Sequence, residues 1–442
     1  MNFEWSDIQL GDFLELKRGY DLPHKDRKEG DYKVISSSGP SGFHSEGKVK
    51  GPGVVTGRYG TIGKVFYSER DFWPLNTTLY VKDFKGNHPE FVYYFLKTLD
   101  FLQYSDKAAV PGVNRNHLHT AWVKVPESTK VQEGIAKFLS DLDKKRTLNT
   151  QINQTLEQMA QALFKSWFVD FDPVIDNALE AGNPIPEPLA ERAAHRQAMW
   201  AAGSEKAPAR LPAETRRLFP DSFEENEVLG WVPVGWKAGK LSQLAALDTT
   251  SINPGKEPGK EFEHYSIPAF DSSQRPSFDA GESIKSGKYK VDAKAILVSK
   301  LNPGTQRVWW VSPCDKEAAI CSTEFMPFVP KDGESRAFIY FLLKSDLVQN
   351  EILNSVTGTT GSRQRAQPKK VAVADVLLPN SEAMRAFSEY VEPMKDKQVK
   401  NIEQSVNLAQ LRDTLLPKLL SGELQLPEAE AGVEAALEVE PA

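Results

Sequence analysis

Three stretches of the 442-residue sequence carry bases and no acid. Gly47 to Tyr67 holds Lys48, Lys50, Arg58 and Lys64; Lys107 to Val125 holds Lys107, Arg115 and Lys124; Ser355 to Lys370 holds Arg363, Arg365, Lys369 and Lys370. All three are rich in Gly, Ser, Thr, Asn or Gln. Such loops offer charge for phosphate together with groups that match base edges. Arginine pairs bidentately with guanine, asparagine or glutamine with adenine, and lysine more often holds phosphate. A solvated loop with ordinary lysines is the plain alternative for any one stretch, but three at related positions favour a binding surface. The side chains singled out are Arg58, Lys64, Asn114 and Arg115 in the first half, and Lys300, Arg363, Gln364 and Arg365 in the second. Gly60, Gly63, Gly358 and Gly361 shape the loops rather than touch a ligand.

Catalytic patterns are weak by comparison. GRYGTIGKV resembles a phosphate loop, but five residues separate Gly57 from Gly63, and Val65 follows Lys64 where Ser or Thr should bind magnesium. The seven histidines form no metal-ligand or triad spacing, and Cys314 and Cys321 have no histidine nearby, so both read as ordinary thiols. The N-terminus lacks the apolar core of a signal peptide, and no run approaches the roughly 20 apolar residues of a membrane span. A cytoplasmic chain with no membrane partner is the expectation. The net charge of -6 argues against nucleic acid until its distribution is considered. The tail beyond Gln425 holds five glutamates and no base, and residues 172–230 hold eleven acids against six bases.

The elements that must position the loops come in a repeating order. Residues 1–130 read as strands and turns closed by a helix over PEFVYYFLKTLDFLQYS. Val131 to Phe171 then reads as one long helix, with Ile135, Phe138, Leu139, Leu142, Leu148, Ile152, Leu156, Met159 and Leu163 in an apolar stripe. Continuous to Phe168, its length is roughly 57 Å at about 1.5 Å per residue. Residues 172–230 are broken by prolines and read as a partly ordered linker with a short helix over Glu187 to Trp200. From residue 231 the first half recurs. VVTGRYGTIGKVFY aligns with ILVSKLNPGTQRVWW, HPEFVYYFLKTLDFLQ with SRAFIYFLLKSDLVQN, VPGVNRNHL with TTGSRQRAQ and VKVPES with VLLPNS. A second helical arm, 381–425, carries Val399, Ile402, Val406 and Ala409, with Leu408, Leu411 and Leu415 beside them. Laying the arms antiparallel buries both stripes. Residues 426–442 read as an acidic disordered tail.

The phrases YKVISSSGPSGFH, GRYGTIGKVFY, TGTTGSRQR, ALFKSWFVDFDPV, LFPDSF, VPVGW and LRDTLLPKLLSGEL, in this duplicated layout, resemble the specificity subunit of type I restriction-modification systems over residues 1–425. The resemblance implies an α+β fold. Two similar globular target-recognition domains, 1–130 and 231–380, are separated by two long helices packed as an antiparallel coiled coil, in a pseudo-two-fold internal repeat. Each domain would read one half of a bipartite double-stranded DNA site, and the arms would dock two modification (methyltransferase) subunits, with restriction subunits as further partners. Trp167, Phe168 and Phe171 would be contacts for a modification subunit, against the alternative that they pack the helix end on its own domain. No cofactor is expected in this chain. S-adenosylmethionine belongs on the modification subunit, ATP and Mg on the restriction subunit, and the chain itself is noncatalytic. The alternative from another class is a coiled-coil scaffold or adaptor whose domains bind protein.

Overall fold

A computed structural model describes residues 4–106, 112–203, 210–357 and 364–438. The chain divides into two compact units, one made of residues up to 151 with those from 401 onward, the other of residues 152–400.

In the first unit the chain passes through β1 (Trp5–Gln9), α1 (Leu10–Phe13), β2 (Glu15–Arg18), β3 (Tyr32–Ser36), β4 (Gly39–His44) and β5 (Gly53–Gly57). It continues through β6 (Val65–Ser68), β7 (Phe72–Pro74), β8 (Thr78–Asp83) and α2 (Pro89–Thr98). The two-residue strands β9 (Ser105–Asp106) and β10 (Gly112–Val113), the helix α3 (Arg115–His119), β11 (Trp122–Pro126) and the 40-residue α4 (Thr129–Phe168) follow. β5 is buried along its whole length because it lies inside a four-stranded sheet of order β2-β8-β5-β6. A second sheet, β4-β3-β7, pairs β3 and β7 in parallel, and β1 pairs with β11 as a ribbon. Pro89 starts α2 where its missing N–H costs nothing, and the His88 ring accepts the Phe91 N–H. The helix then buries Phe91, Val92, Phe95 and Leu96 in one core with Leu10, Phe13, Val54 and Leu79.

The second unit begins within α4 and continues through α5 (Asp172–Ala181), α6 (Glu187–Ala201), α7 (Ala213–Arg216), β12 (Phe223–Asn226), β13 (Gly230–Pro233) and β14 (Lys237–Lys240). Next come α8 (Leu241–Leu244), β15 (Ala245–Leu247), β16 (Ser251–Ile252), β17 (Glu261–Tyr265), α9 (Ile267–Ser273), β18 (Ser277–Ala280) and β19 (Lys288–Lys290). The chain then forms β20 (Ile296–Ser299), β21 (Val308–Trp310), β22 (Ala319–Ser322), β23 (Phe325–Pro330), α10 (Arg336–Lys344), α11 (Asp346–Asn354), α12 (Pro368–Ala372) and β24 (Asp375–Leu378). The 41-residue α13 (Ser381–Ser421) follows, and α14 (Leu426–Glu438) lies in the first unit. The sheet β15-β23-β20-β21 repeats β2-β8-β5-β6, the parallel pair β17–β22 repeats β3–β7, and the ribbon β14–β24 repeats β1–β11. The internal duplication expected from the sequence is therefore present in these three sets of strands, while the five-stranded sheet β16-β19-β22-β17-β18 is larger than its counterpart β4-β3-β7.

Helix pairing is antiparallel within each unit. In the first, Leu142 packs with Leu408, and Arg412 Nη1 reaches Asp143 Oδ1 at 2.5 Å. In the second, Asn153 Nδ2 donates to the Gln398 carbonyl at 3.1 Å, and Gln398 Nε2 returns a bond to the Asn153 carbonyl at 2.8 Å. The expected apolar stripes only partly fill these seams. Leu148 and Met159 point outward, 46% and 52% exposed, whereas Asn149, Lys395, Gln398 and Asn401 are buried. Asn149 Nδ2 bonds Gln404 Oε1 at 2.9 Å and Ser405 Oγ at 3.2 Å. Satisfied amides of this kind fix register at some cost in stability.

Two expectations need correction. The short helix expected over Glu187 to Trp200 is α6, but the described parts of 172–230 pack into the second unit: Val174, Ile175, Ala178 and Phe219 are buried, and α5 is tied to α6 by Asp172–Arg192 at 2.6 Å and Asp176–Arg196 at 2.7 Å. Prolines in the first turns of α5 and α6 start these helices rather than break the chain. Nor is the acidic end disordered over 426–438. Leu426, Ala429 and Val433 make an apolar face on α14 that packs with Leu142, Leu408 and Leu415, while Glu428 and Glu430 stay in water.

Candidate nucleic-acid interface

In the first unit the basic loop after β5 is closed by its own backbone. Gly57 N donates to the Lys64 carbonyl at 3.0 Å, and Arg58 N and Tyr59 N both donate to the Thr77 carbonyl, at 2.9 and 3.2 Å. A Cβ on Gly57 would lie 1.8 Å from the Thr61 carbonyl oxygen, so this turn requires glycine. The loop before α3 is joined to it: Val113 N donates to the Arg58 carbonyl at 3.0 Å, and Tyr59 bridges Gly112. The Arg58 guanidinium lies 4.5 Å from the centre of the Tyr59 ring, which is 37% exposed. Lys64 and Arg115 are exposed; Asn114 caps α3, its Oδ1 accepting the Asn116 N–H at 3.0 Å. Arg58 and the α3 loop are thus brought together, and Asn114 has a structural duty that the sequence did not assign.

The second unit repeats the same backbone bonds with other side chains. Ser299 N donates to the Arg307 carbonyl at 2.9 Å, Lys300 N to the Glu324 carbonyl at 2.9 Å, and Ala366 N to the Lys300 carbonyl at 2.9 Å, while Leu301 bridges Arg365. These bonds make Lys300 the counterpart of Arg58, Leu301 of Tyr59, Arg307 of Lys64, Glu324 of Thr77 and Arg365 of Gly112. The sequence alignment had set Gly112 opposite Gly361, four residues too early, because the connections before the two loops differ in length. Gln364 contributes its carbonyl to Asn302 N at 3.1 Å. Arg363 lies outside the described residues, as do Gly358 and Gly361.

Arg365 is held at every level. Its N–H and carbonyl exchange bonds with Thr357 at 3.1 and 3.0 Å, and its guanidinium forks onto Glu324, with Nε 3.0 Å from Oε2 and Nη2 3.0 Å from Oε1. That hydrogen bonding raises the Arg365 pKa above its usual value. Arg307, absent from the sequence expectations, forks onto Asp271 at 2.6 and 2.9 Å. Arg307 stands in ILVSKLNPGTQRVWW, the stretch aligned with VVTGRYGTIGKVFY, and matching the right-hand ends of the two phrases sets it opposite Lys64. Glu324 carried no sequence signal, since it lies in a turn far from any basic stretch.

Trp167, Phe168 and Phe171 are not exposed anchors for another subunit. Their exposures are 1%, 5% and 8%, in the core with Phe338, Phe387, Phe219 and Trp236. Phe168 and Phe338 meet edge to face at 4.9 Å and Trp167 and Phe219 at 5.0 Å. The helix end is aromatic because it supplies the second unit with core.

Among the described residues no group of three or more His, Cys, Asp and Glu is placed to hold a metal ion, and no helix is long and apolar enough to cross a membrane. Residues 2–158 match the family model for the type I restriction modification DNA specificity domain. The chain is 30% identical over 373 residues to the type I restriction enzyme HindI specificity subunit of Haemophilus influenzae, covering 76% of this chain and 77% of that protein. The chain belongs to the type I restriction enzyme specificity subunits. Such subunits are the sequence-selecting, noncatalytic components of a restriction-modification complex. The specificity subunit of the MjaIX enzyme of Methanocaldococcus jannaschii is 23% identical over 360 residues, which are 77% of this chain and 70% of that protein. The crystal structure of a type I restriction-modification S subunit from M. genitalium superposes with a TM-score of 0.56 at 14% identity, covering 95% of this chain and 96% of that one. The specificity-subunit fold thus extends over nearly the whole chain.

Proposed function

We propose that this specificity subunit reads a bipartite double-stranded DNA site, one half by each β-rich domain, and directs adenine methylation by modification subunits. The supporting observation is a shared backbone frame carrying Arg58, Tyr59, Thr77 and Gly112 in one unit and Lys300, Leu301, Glu324 and Arg365 in the other. Equal frames with unequal side chains suit two unlike half-sites. Arg58, Lys64, Arg115 and Lys300 supply phosphate or base contacts, with Asn114, Gln364, Arg363 and Arg365 beside them. The domains are 1–130 and 231–380, and the arms 131–171 and 381–425 dock two modification subunits through surfaces other than Trp167, Phe168 and Phe171. S-adenosylmethionine is carried by those subunits, and ATP with Mg by restriction subunits, in the cytoplasm.

A map of methylated adenines in cells with and without the chain tests this reading. A bipartite motif present only with the chain is the expected result. No change in the map, with no DNA binding by the assembled complex at any salt, would favour a protein-binding scaffold instead.

A further inference from the structure

Where the two frames differ most, the second unit has the ion pair Arg365–Glu324 at the positions that Gly112 and Thr77 hold in the first. Gly112 lies under the Tyr59 ring, so close that a Cβ there would be 2.1 Å from the ring Cε1. At the equivalent position Arg365 projects a side chain that is 43% exposed yet fixed by the Glu324 carboxylate, itself 27% exposed. The Glu324 carbonyl in turn accepts the Lys300 N–H, and its own N–H meets Ser322 Oγ at 3.2 Å. Glu324 is therefore mounted on the frame that carries both loops.

A carboxylate is a poor neighbour for a phosphate-holding cation, because it repels the same backbone that the cation attracts. It suits a cation that must present its donors to a base edge in one orientation, since a free arginine loses rotamer entropy on binding and a clamped one has already lost it. We propose that Glu324 is a positioning residue for Arg365, and that the pair sets base preference within the half-site read by the second unit. The inference rests on the DNA-reading role proposed above and adds the residues that decide one part of it.

The test uses the full-length chain assembled with its modification subunit and a randomised duplex library, scored by the sequences methylated. Glu324→Ala should reduce discrimination roughly 10-fold or more at one or two base pairs of a single half-site. The other half-site should stay unchanged, and binding to unrelated duplex should be equal or tighter because a negative charge is gone. Glu324→Gln, which keeps the shape and one acceptor, should fall between. In an Arg365→Ala background, Glu324→Ala should change base preference no further. Tighter binding to all sequences with unchanged preference would overturn the proposal and leave Arg365 a phosphate contact. Equal loss at both half-sites would overturn it too. If the unmutated complex methylates no bipartite motif, the DNA-reading role itself fails; a normal motif untouched by Glu324→Ala sinks only the pair.

Discussion

Glu157 Oε2 lies 3.0 Å from the ammonium of Lys395, deep between α4 and α13 in the second unit. The same carboxylate meets Lys344, accepts the Tyr340 hydroxyl at 3.1 Å and receives Gln398 Nε2 at 3.3 Å. Burial opposes its charge, but Lys395 and Lys344 prevail and lower its pKa to about 2. Burial is the largest influence on Lys395 and brings it down to about 8. Removing the carboxylate alone leaves two cations in a poorly solvated seam. Glu157→Gln should therefore destabilise the second unit by about 3 kcal/mol, read from denaturant midpoints at pH 7.

Acid should erase that difference. Glu157 is depressed on folding, so its contribution is complete above its unfolded value of 4.5 and is lost as pH falls through about 2. The gap between parent and Glu157→Gln should shrink steadily from pH 4.5 to 2. Lys395 works the other way: its folded pKa is lowered from 10.5, so the cost of keeping it charged is present below about 8 and relieved as pH rises from there to 10.5. A gap of constant size down to pH 3 would show that Glu157 is not the group responsible.

Trp167→Ala should act on folding and not on subunit contact. The side chain is 1% exposed and touches Phe168, Phe219, Phe387 and Tyr390, so its removal should cost about 3–5 kcal/mol. Chemical denaturation followed by near-ultraviolet circular dichroism checks this. A variant with native stability that no longer bound a modification subunit would restore the interface role that burial speaks against.

Val433→Asp tests whether the last helix is structural. Val433 is buried with Leu142 and Leu408, so an ionised carboxylate there would be set among apolar side chains. A loss of about 2–4 kcal/mol is expected, confined to hydrogen exchange in the first unit. An unchanged exchange pattern would return residues 426–438 to the status of a solvated tail.

Gly112→Ala should alter reading without unfolding. The added methyl collides with one edge of the partly exposed Tyr59 ring, and swinging that ring aside carries the Arg58 contact with it. Melting temperature should hold within about 4 °C while methylation becomes less selective at the half-site of the first unit. Collapse of the second half-site's preference would mean that the two frames are not separate readers.

The sequence disclosed the duplication, the long helices and their antiparallel pairing, because β-turn punctuation and helical apolar periods survive in both halves. It also disclosed that cations gather in the loops after β5 and before α3. It misjudged the seam, since counting apolar residues cannot show that Asn149 and Gln398 turn inward while Leu148 and Met159 turn out. Exposure was equally invisible for Trp167, Phe168 and Phe171, which have the composition of an interface and the burial of a core. Glu324 and Thr77 became visible only through backbone bonds that join distant turns.

One consequence concerns synthesis. The core of the first unit joins Val131, Ile135 and Leu139 to Leu416, Leu419, Leu420 and Ala429, whereas the second unit is one unbroken stretch from 152 to 400. A ribosome adding about 5–20 residues per second takes on the order of 10–50 s to cross that stretch. Throughout that interval the earliest-made half of the protein waits with an apolar helix face uncovered, and the later-made half is the first that can finish folding.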